Sequence, residues 1–229
     1  MAREKEIKIR LKNISFKDFI KRIKEHGFKK EAEISQTDIY FDKKDWLLYE
    51  NLAASRLRIV NGKDYSFSFK KIFYRPKLKG KYYIEEIEAK FPINDYKPVK
   101  AIFDRMLVPY NGDKIKDRKS LTKYLKRYDY LDSQIMPKTR QIFKNDSGDE
   151  IVIDNVDKVG LIIELECLQN EPLDVVKTFL SKNEWERSLE GTGFIWLKNV
   201  KGLNSHIKNL DRFKEDPYWN VWKVDELIA

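Results

Sequence analysis

The stretch that most restricts how this chain can fold is its opening, Glu4-Lys5-Glu6-Ile7-Lys8, followed by Ile9, Arg10 and Leu11. Side chains alternate between faces along a β-strand, so Glu4, Glu6 and Lys8 share one face while Lys5, Ile7 and Ile9 take the other. Turned outward, the first face is an ordinary solvated strand, which is what most such charge patterns label. Turned into a cavity, its carboxylates can hold a hard divalent cation, and the lysine can meet a phosphate that the cation also touches. The choice between the two rests with the other strands.

Those strands have a sizeable core to pack into, because 41% of the 229 residues are hydrophobic and 13 Phe, 12 Tyr and 5 Trp are among them. A disordered chain is thereby excluded. The net charge of +9 suits an anionic partner or simply a lysine-rich surface, since Asp and Glu are interspersed almost everywhere. Cys167 is alone, which rules out an intrachain disulfide framework and a cysteine metal cluster and favours a reducing compartment, the cytoplasm. The charged first residues are unlike a secretory signal, and no apolar run approaches the ~20 residues of a spanning helix, so no membrane partner is expected. His26 and His206 are too few to centre the chemistry, and His26 before Gly27 reads as a helix end.

Ser15 to His26 places Phe16, Phe19, Ile20 and Ile23 at helical spacing. Strands are expected at Gln36 to Asp42, Ser55 to Val60 and Tyr65 to Lys70, with Asn61-Gly62 as a hairpin turn between the last two. A basic connection from Lys71 to Lys81 leads into Tyr82 to Phe91. Helices follow from Pro98 to about Leu107 and from near Ser120 to Tyr128, then strands at Met136 to Phe143, Glu150 to Asp154 and Gly160 to Cys167. Pro172 opens a further helix, Leu203 to Phe213 reads as another, and Tyr218, Trp219, Val221 and Trp222 are candidates to tie the tail back. With no long repeat, low-complexity tract or linker, residues 1–229 are expected to form one domain, with a C-terminal helical extension from about 168. Hairpin-linked strands with helices between groups indicate an antiparallel α+β architecture.

The same-face polar residues of these strands form a recurring set. The acids are Glu4, Glu6, Glu86, Glu88, Asp154, Glu164 and Glu166, and the bases are Lys8, Arg56 or Arg58, Lys70, Lys138 and Arg140. Burying so many charges unpaired would cost several kcal/mol per ion, whereas a hydrated interior holding metal and polyphosphate relieves the cost. Glu31 with Glu33 and Glu184 with Glu186 repeat the E-x-E pattern and are assigned no role.

In their order along the chain, these residues resemble the CYTH or triphosphate tunnel metalloenzyme family. Glu4, Glu6 and Lys8 correspond to its opening E-x-E-x-K, Gln36 to Asp42 is similar to Q-x-D-x-Y-F-D, and Leu57-Arg58-Ile59 looks like the start of L-R-I-R. Lys70 falls where the family has a strand lysine, Glu86-Ile87-Glu88 resembles the central E-x-E, and Lys138-Thr139-Arg140 resembles K-x-R. Asp154, Gly160 and Glu164-Leu165-Glu166 look like the closing D, G and E-x-E. The second arginine of L-R-I-R is Val60 here, so either Arg56 substitutes for it or one phosphate contact is missing.

The resemblance, which covers about residues 4 to 167, implies a closed eight-stranded antiparallel barrel forming a tunnel with helices around it, and Mg²⁺ or Mn²⁺ bound by acidic strands. It implies Glu4, Glu6, Asp154, Glu164 and Glu166 as metal ligands, with Glu86 and Glu88 as acidic lining or further ligands. Lys8, Arg58, Lys70, Lys138 and Arg140 would grip the phosphates, with Arg56 a further substrate-binding candidate, and Glu4, Glu6, Lys8 and Glu164 would be the catalytic set. The expected activity is metal-dependent hydrolysis of a triphosphate: tripolyphosphate, thiamine triphosphate or a nucleoside triphosphate, with an RNA 5′ triphosphate unsupported. The alternatives are a class IV adenylyl cyclase and, in a different class, a non-catalytic binder of polyphosphate, nucleotide or RNA. Monomer and homodimer both stay open.

Overall fold

The structure, a computed structural model, describes residues 5–75, 81–168, 170–188 and 192–201. Glu4, the helix expected at Leu203 to Phe213 and the tail residues Tyr218, Trp219, Val221 and Trp222 lie outside the described residues, as does part of the Lys71 to Lys81 connection. In chain order the elements are β1 (Lys5–Leu11), α1 (Phe16–Glu25), β2 (Lys29–Asp42), α2 (Leu47–Glu50), β3 (Ala53–Val60), β4 (Lys63–Arg75) and β5 (Lys81–Lys90). They continue as α3 (Lys97–Arg105), α4 (Arg118–Lys126), β6 (Leu131–Lys144), β7 (Glu150–Val156), β8 (Gly160–Cys167), α5 (Pro172–Phe179), β9 (Trp185–Arg187) and α6 (Thr192–Lys201). The class is α+β, as the hairpin-linked pattern indicated.

Nine strands pair in the order β5-β4-β3-β2-β6-β7-β8-β1-β9. Its outer strands are β5 and β9, and no pairing joins them among the described residues, so the sheet is not closed and the closed eight-stranded barrel implied by the resemblance is not confirmed. β9 pairs with β1 through Ile9 and Arg187, Arg10 and Glu186, and Leu11 and Trp185, and the Ser188 amide donates to the Lys8 carbonyl.

Contacts gather the chain into two compact units that are discontinuous in sequence. The first comprises the segment ending at Asp38, Arg58–Asp64 and Ile135–Lys201; the second holds Ile39–Leu57 and Tyr65–Gln134.

In the first unit, strand alternation divides the sheet by chemistry. Ile7 and Ile9 of β1, Ile151 and Ile153 of β7, Ile163, Leu165 and Cys167 of β8, and Phe143 of β6 point to one face. There they meet Phe19 and Ile23 of α1 and Val176 and Phe179 of α5. The ring of Phe179 makes edge contacts with Phe19 and Phe28. Apolar burial at ~25 cal/mol per Å² makes this the main source of stability for the unit. Helix α1 starts where Ser15 accepts a hydrogen bond from the Asp18 amide, and it stops at Gly27, whose φ of +85° is a conformation that glycine takes without steric cost. His26 caps it, with Nδ1 2.8 Å from the Arg22 carbonyl oxygen. The opposite sheet face carries Glu6, Lys8, Lys138, Arg140, Asp154, Glu164 and Glu166, interleaved with the sealed Val152 and Ile162.

In the second unit, α3 buries Val99, Ile102 and Phe103, and α4 buries Leu121, Tyr124 and Leu125. Helix α4 begins two residues ahead of Ser120 because Asp117 and Ser120 form a reciprocal capping box. The Asp42 carboxylate accepts the Lys43, Leu48 and Tyr49 amides, which anchors the short α2.

Candidate active site

Register decides which charges meet. Lys8 on β1 faces Glu164 on β8, Glu6 faces Glu166, and Arg140 on β6 faces Asp154 on β7. In antiparallel sheets such directly opposed side chains lie ~5 Å apart, close enough for ion pairs.

The result is a ladder of alternating charge. Arg58 Nε donates to Asp38 Oδ1 at 2.9 Å, and Lys138 Nζ stands 3.5 Å from Asp38 Oδ2. Lys138 also donates to Asp154 Oδ2 at 2.6 Å, while Arg140 grips Asp154 through Nε (2.7 Å) and Nη2 (2.8 Å). Arg140 Nη2 lies 3.6 Å from Glu164 Oε2, Glu164 Oε1 lies 3.3 Å from Lys8 Nζ, and Lys8 bonds Glu6. Four cations thus alternate with four carboxylates, all within the first unit. The middle is sealed, with the Asp38 and Asp154 side chains 1% and 0% exposed, whereas the Glu6 side chain at the end is 32% exposed.

The electrostatics follow from this packing. Burial would push the Glu164 carboxyl up, but Lys8, Arg140 and Lys138 outweigh it and hold it at about 2. Burial likewise opposes the charge on Lys8, and Glu164 and Glu6 overcome it, so the ammonium stays above its ordinary range. Arg140 is held above its ordinary range against burial by Asp154. Lys138 goes the other way. Burial lowers it, Asp38 and Asp154 only partly compensate, and Arg140 and Arg58 add to the lowering.

Seven of the sequence-predicted residues, Glu6, Lys8, Arg58, Lys138, Arg140, Asp154 and Glu164, therefore stand in one ladder. Glu166 is half-buried opposite Glu6 and Glu150. In the second unit, Lys70 pairs in register with Glu86, with Nζ 3.3 Å from Oε2, and Arg56 Nη2 lies 3.6 Å from Glu86 Oε1. Glu88 stands opposite Ser68, half-buried. Glu4 lies outside the described residues. Among the described residues, no three acidic, histidine or cysteine side chains gather closely enough to hold one metal ion. Asp154, expected as a metal ligand, accepts hydrogen bonds from Lys138 and Arg140 through its two oxygens.

The E-x-E pairs assigned no role make peripheral ion pairs. Glu33 bonds Lys30, Glu31 Oε2 lies 3.5 Å from Lys144 Nζ, Glu184 takes both ends of the Arg22 guanidinium, and Glu186 bonds Lys12 at 2.8 Å. Sequence reasoning missed Asp38 and Gln36, although both sit in the quoted Gln36 to Asp42 motif. The available signal was an acid two residues after an amide, hence on the same face, in the middle of a long strand.

Fold and site together define an antiparallel α+β protein with one helix-covered sheet face and one charge-paired face. The CYTH domain model matches residues 2–194, so the chain belongs to the CYTH family. No curated protein matches the sequence. Among solved structures, PH1819 of Pyrococcus horikoshii is 20% identical over 81% of this chain and 94% of its own, with a TM-score of 0.56. HpAC1 of Hippeastrum, a proposed adenylyl cyclase with a dominant triphosphatase activity, is 19% identical over 85% and 95%, with a TM-score of 0.55. A proposed adenylate cyclase of Vibrio parahaemolyticus is 17% identical over 84% and 96%, with a TM-score of 0.52. At these identities the likeness is one of fold.

Proposed function

We propose that this chain is a divalent-metal-dependent triphosphatase that hydrolyses a triphosphate bound along the cations of the ladder. The observation that carries the reading is the alternation itself. Lys8, Arg140, Lys138 and Arg58 are each held by a carboxylate on a neighbouring strand, which fixes four donors on one sheet face before any ligand arrives.

The residues present fit a hard cation in kind. Glu6, Glu164 and Glu166, with Glu4 added by the resemblance, offer carboxylate oxygens of the sort that Mg²⁺ and Mn²⁺ take. Glu164 is ionised down to about pH 2, and its contacts at 3.3 and 3.6 Å are loose enough to exchange. A cation held there would neutralise charge on the transferring phosphoryl group.

The chain's own groups do the remaining work. Arg58, Lys138 and Arg140 align the phosphates, and Lys8, on leaving Glu6, meets an outer oxygen. Water adds to the terminal phosphorus, the bond to the bridging oxygen breaks, and the donors on that oxygen stabilise its growing charge as diphosphate departs from inorganic phosphate. The resemblance alone names Lys70 and Arg56 as further candidates to bind phosphate, and Glu86 and Glu88 as acidic lining or further metal ligands. Cys167, buried under the helix-covered face, suits a reducing cytoplasm.

A second reading, cyclisation of ATP to cyclic AMP and pyrophosphate, draws on the Gln36 to Asp42 motif and on the cyclase names of two structural relatives. One experiment separates the readings. Tripolyphosphate, thiamine triphosphate and ATP are incubated with Mg²⁺ or Mn²⁺, and the products are resolved by chromatography. Inorganic phosphate supports hydrolysis, cyclic AMP with pyrophosphate replaces it by cyclisation, and binding without turnover leaves only a non-catalytic binder.

A further inference from the structure

The two buried carboxylates of the ladder are built alike. Asp154 takes the Nε and Nη2 edge of Arg140 at 2.7 and 2.8 Å, and Asp38 takes the same edge of Arg58 at 2.9 and 3.3 Å. Lys138 stands between them, 2.6 Å from one and 3.5 Å from the other, with its side chain 3% exposed. In both arginines the Nη1 end makes no hydrogen bond among the described residues. Gln36 Nε2 donates to both Asp38 oxygens at 3.0 and 3.1 Å, so this carboxylate is clamped from its own strand as well.

We infer that Asp38 is a positioning residue of the phosphate site, the counterpart of Asp154 across Lys138. It aims the free end of Arg58 and one side of Lys138 at a bound polyphosphate and binds no metal itself. The inference rests on the triphosphate reading for the identity of the anion.

The physical case has three parts. A fully buried carboxylate is strongly unfavourable unless it is multiply bonded, and Asp38 meets that condition with two side-chain donors, Arg58 and Gln36, and the Lys138 cation nearby. Without it, Arg58 and Lys138 would repel each other in a sheltered setting, and the long arginine side chain would recover the rotamer freedom that binding must then remove. Lys138 and Arg58 both lie against Asp38, so a metal ion taking this carboxylate would have to approach two cations, whereas an anion would be drawn to them.

The test uses the full chain and the Asp38→Asn variant. Tripolyphosphate affinity is measured by calorimetry in chelator, and Mn²⁺ affinity is measured separately by electron paramagnetic resonance. We expect tripolyphosphate binding to weaken about 10- to 100-fold while Mn²⁺ binding changes less than about 2-fold. In an Arg58→Gln background the same change should weaken tripolyphosphate binding by less than about 3-fold, because the larger share of the Asp38 effect passes through Arg58 and only the part through Lys138 is left. Equal losses in both backgrounds would overturn positioning through Arg58, and a fall in Mn²⁺ affinity with tripolyphosphate unaffected would make Asp38 a metal ligand instead. Tripolyphosphate binding undiminished by Asp38→Asn sinks this inference alone, whereas a wild-type chain that binds no tripolyphosphate sinks the triphosphate reading with it. Should Asp38→Asn fail to fold by circular dichroism, Gln36→Leu keeps the Arg58 pair but removes its clamp. A loss of about 3- to 10-fold is then expected, and no loss refutes the role.

Discussion

Replacing Glu164 by Gln tests the ladder through its pH dependence. The native carboxyl is lowered from an ordinary 4.5 to about 2, and its side chain is only 12% exposed, so little of the effect is lost to solvent. At ~1.4 kcal/mol per pH unit, that depression stabilises the native state by roughly 3 kcal/mol at pH 7. The sign follows from proton uptake. Below about pH 5 the unfolded chain protonates this group first, so the contribution is full above the unfolded value and is lost as pH falls toward 2. At pH 3 roughly 1 kcal/mol remains, so the stability gap between wild type and Glu164→Gln should narrow by roughly 2 kcal/mol between pH 7 and pH 3. Denaturant melts at both pH values, in chelator so that no cation competes, would measure it. A gap constant with pH would show that Glu164 is not held between Lys8 and Arg140, and the ladder would lose its central joint.

Three further expectations concern other parts of the molecule. Asp154→Asn leaves Lys138 and Arg140 without their shared carboxylate and should cost about 3–5 kcal/mol in a denaturant melt, more than a surface pair would. Phe179→Ala empties the space under Phe19 and Phe28 and should cost about 3–5 kcal/mol while leaving tripolyphosphate affinity unchanged by calorimetry, because that residue lies on the helix-covered face. Chelation should abolish phosphate release from tripolyphosphate, and added Mg²⁺ or Mn²⁺ should restore it; turnover that persists in chelator would remove the metal from the reading.

The division of the sheet into an apolar and a charged face was legible because alternation is local. Ile7 and Ile9 against Glu6 and Lys8 already specify it, and β8 repeats it with Ile163 and Leu165 against Glu164 and Glu166. Helix α1 was legible from Ser15, its apolar spacing and Gly27. Pairings between distant strands were not. That Asp38 meets both Arg58 and Lys138 depends on β2 lying between β3 and β6, which no local pattern encodes. That Lys138 and Arg140 both reach Asp154 follows from the pairing of β6 with β7, which residue types alone do not give. Two short elements were hidden for another reason. β9 has three residues, too few to show a period, and α2 follows Trp46 in a left-handed conformation that its sequence does not advertise. The bounds of the two units were equally unreadable, since β2, β3, β4 and β6 contribute to both and composition does not change at the boundaries.

The short strand β9 has a consequence beyond its size. An uncovered β1 would present its outer amides and carbonyls to solvent as a template on which another chain could pair. Three residues, secured through Glu184 by the Arg22 guanidinium, occupy much of that rim. Cutting the Arg22 tether would therefore leave the charged face intact and still make the protein prone to self-association.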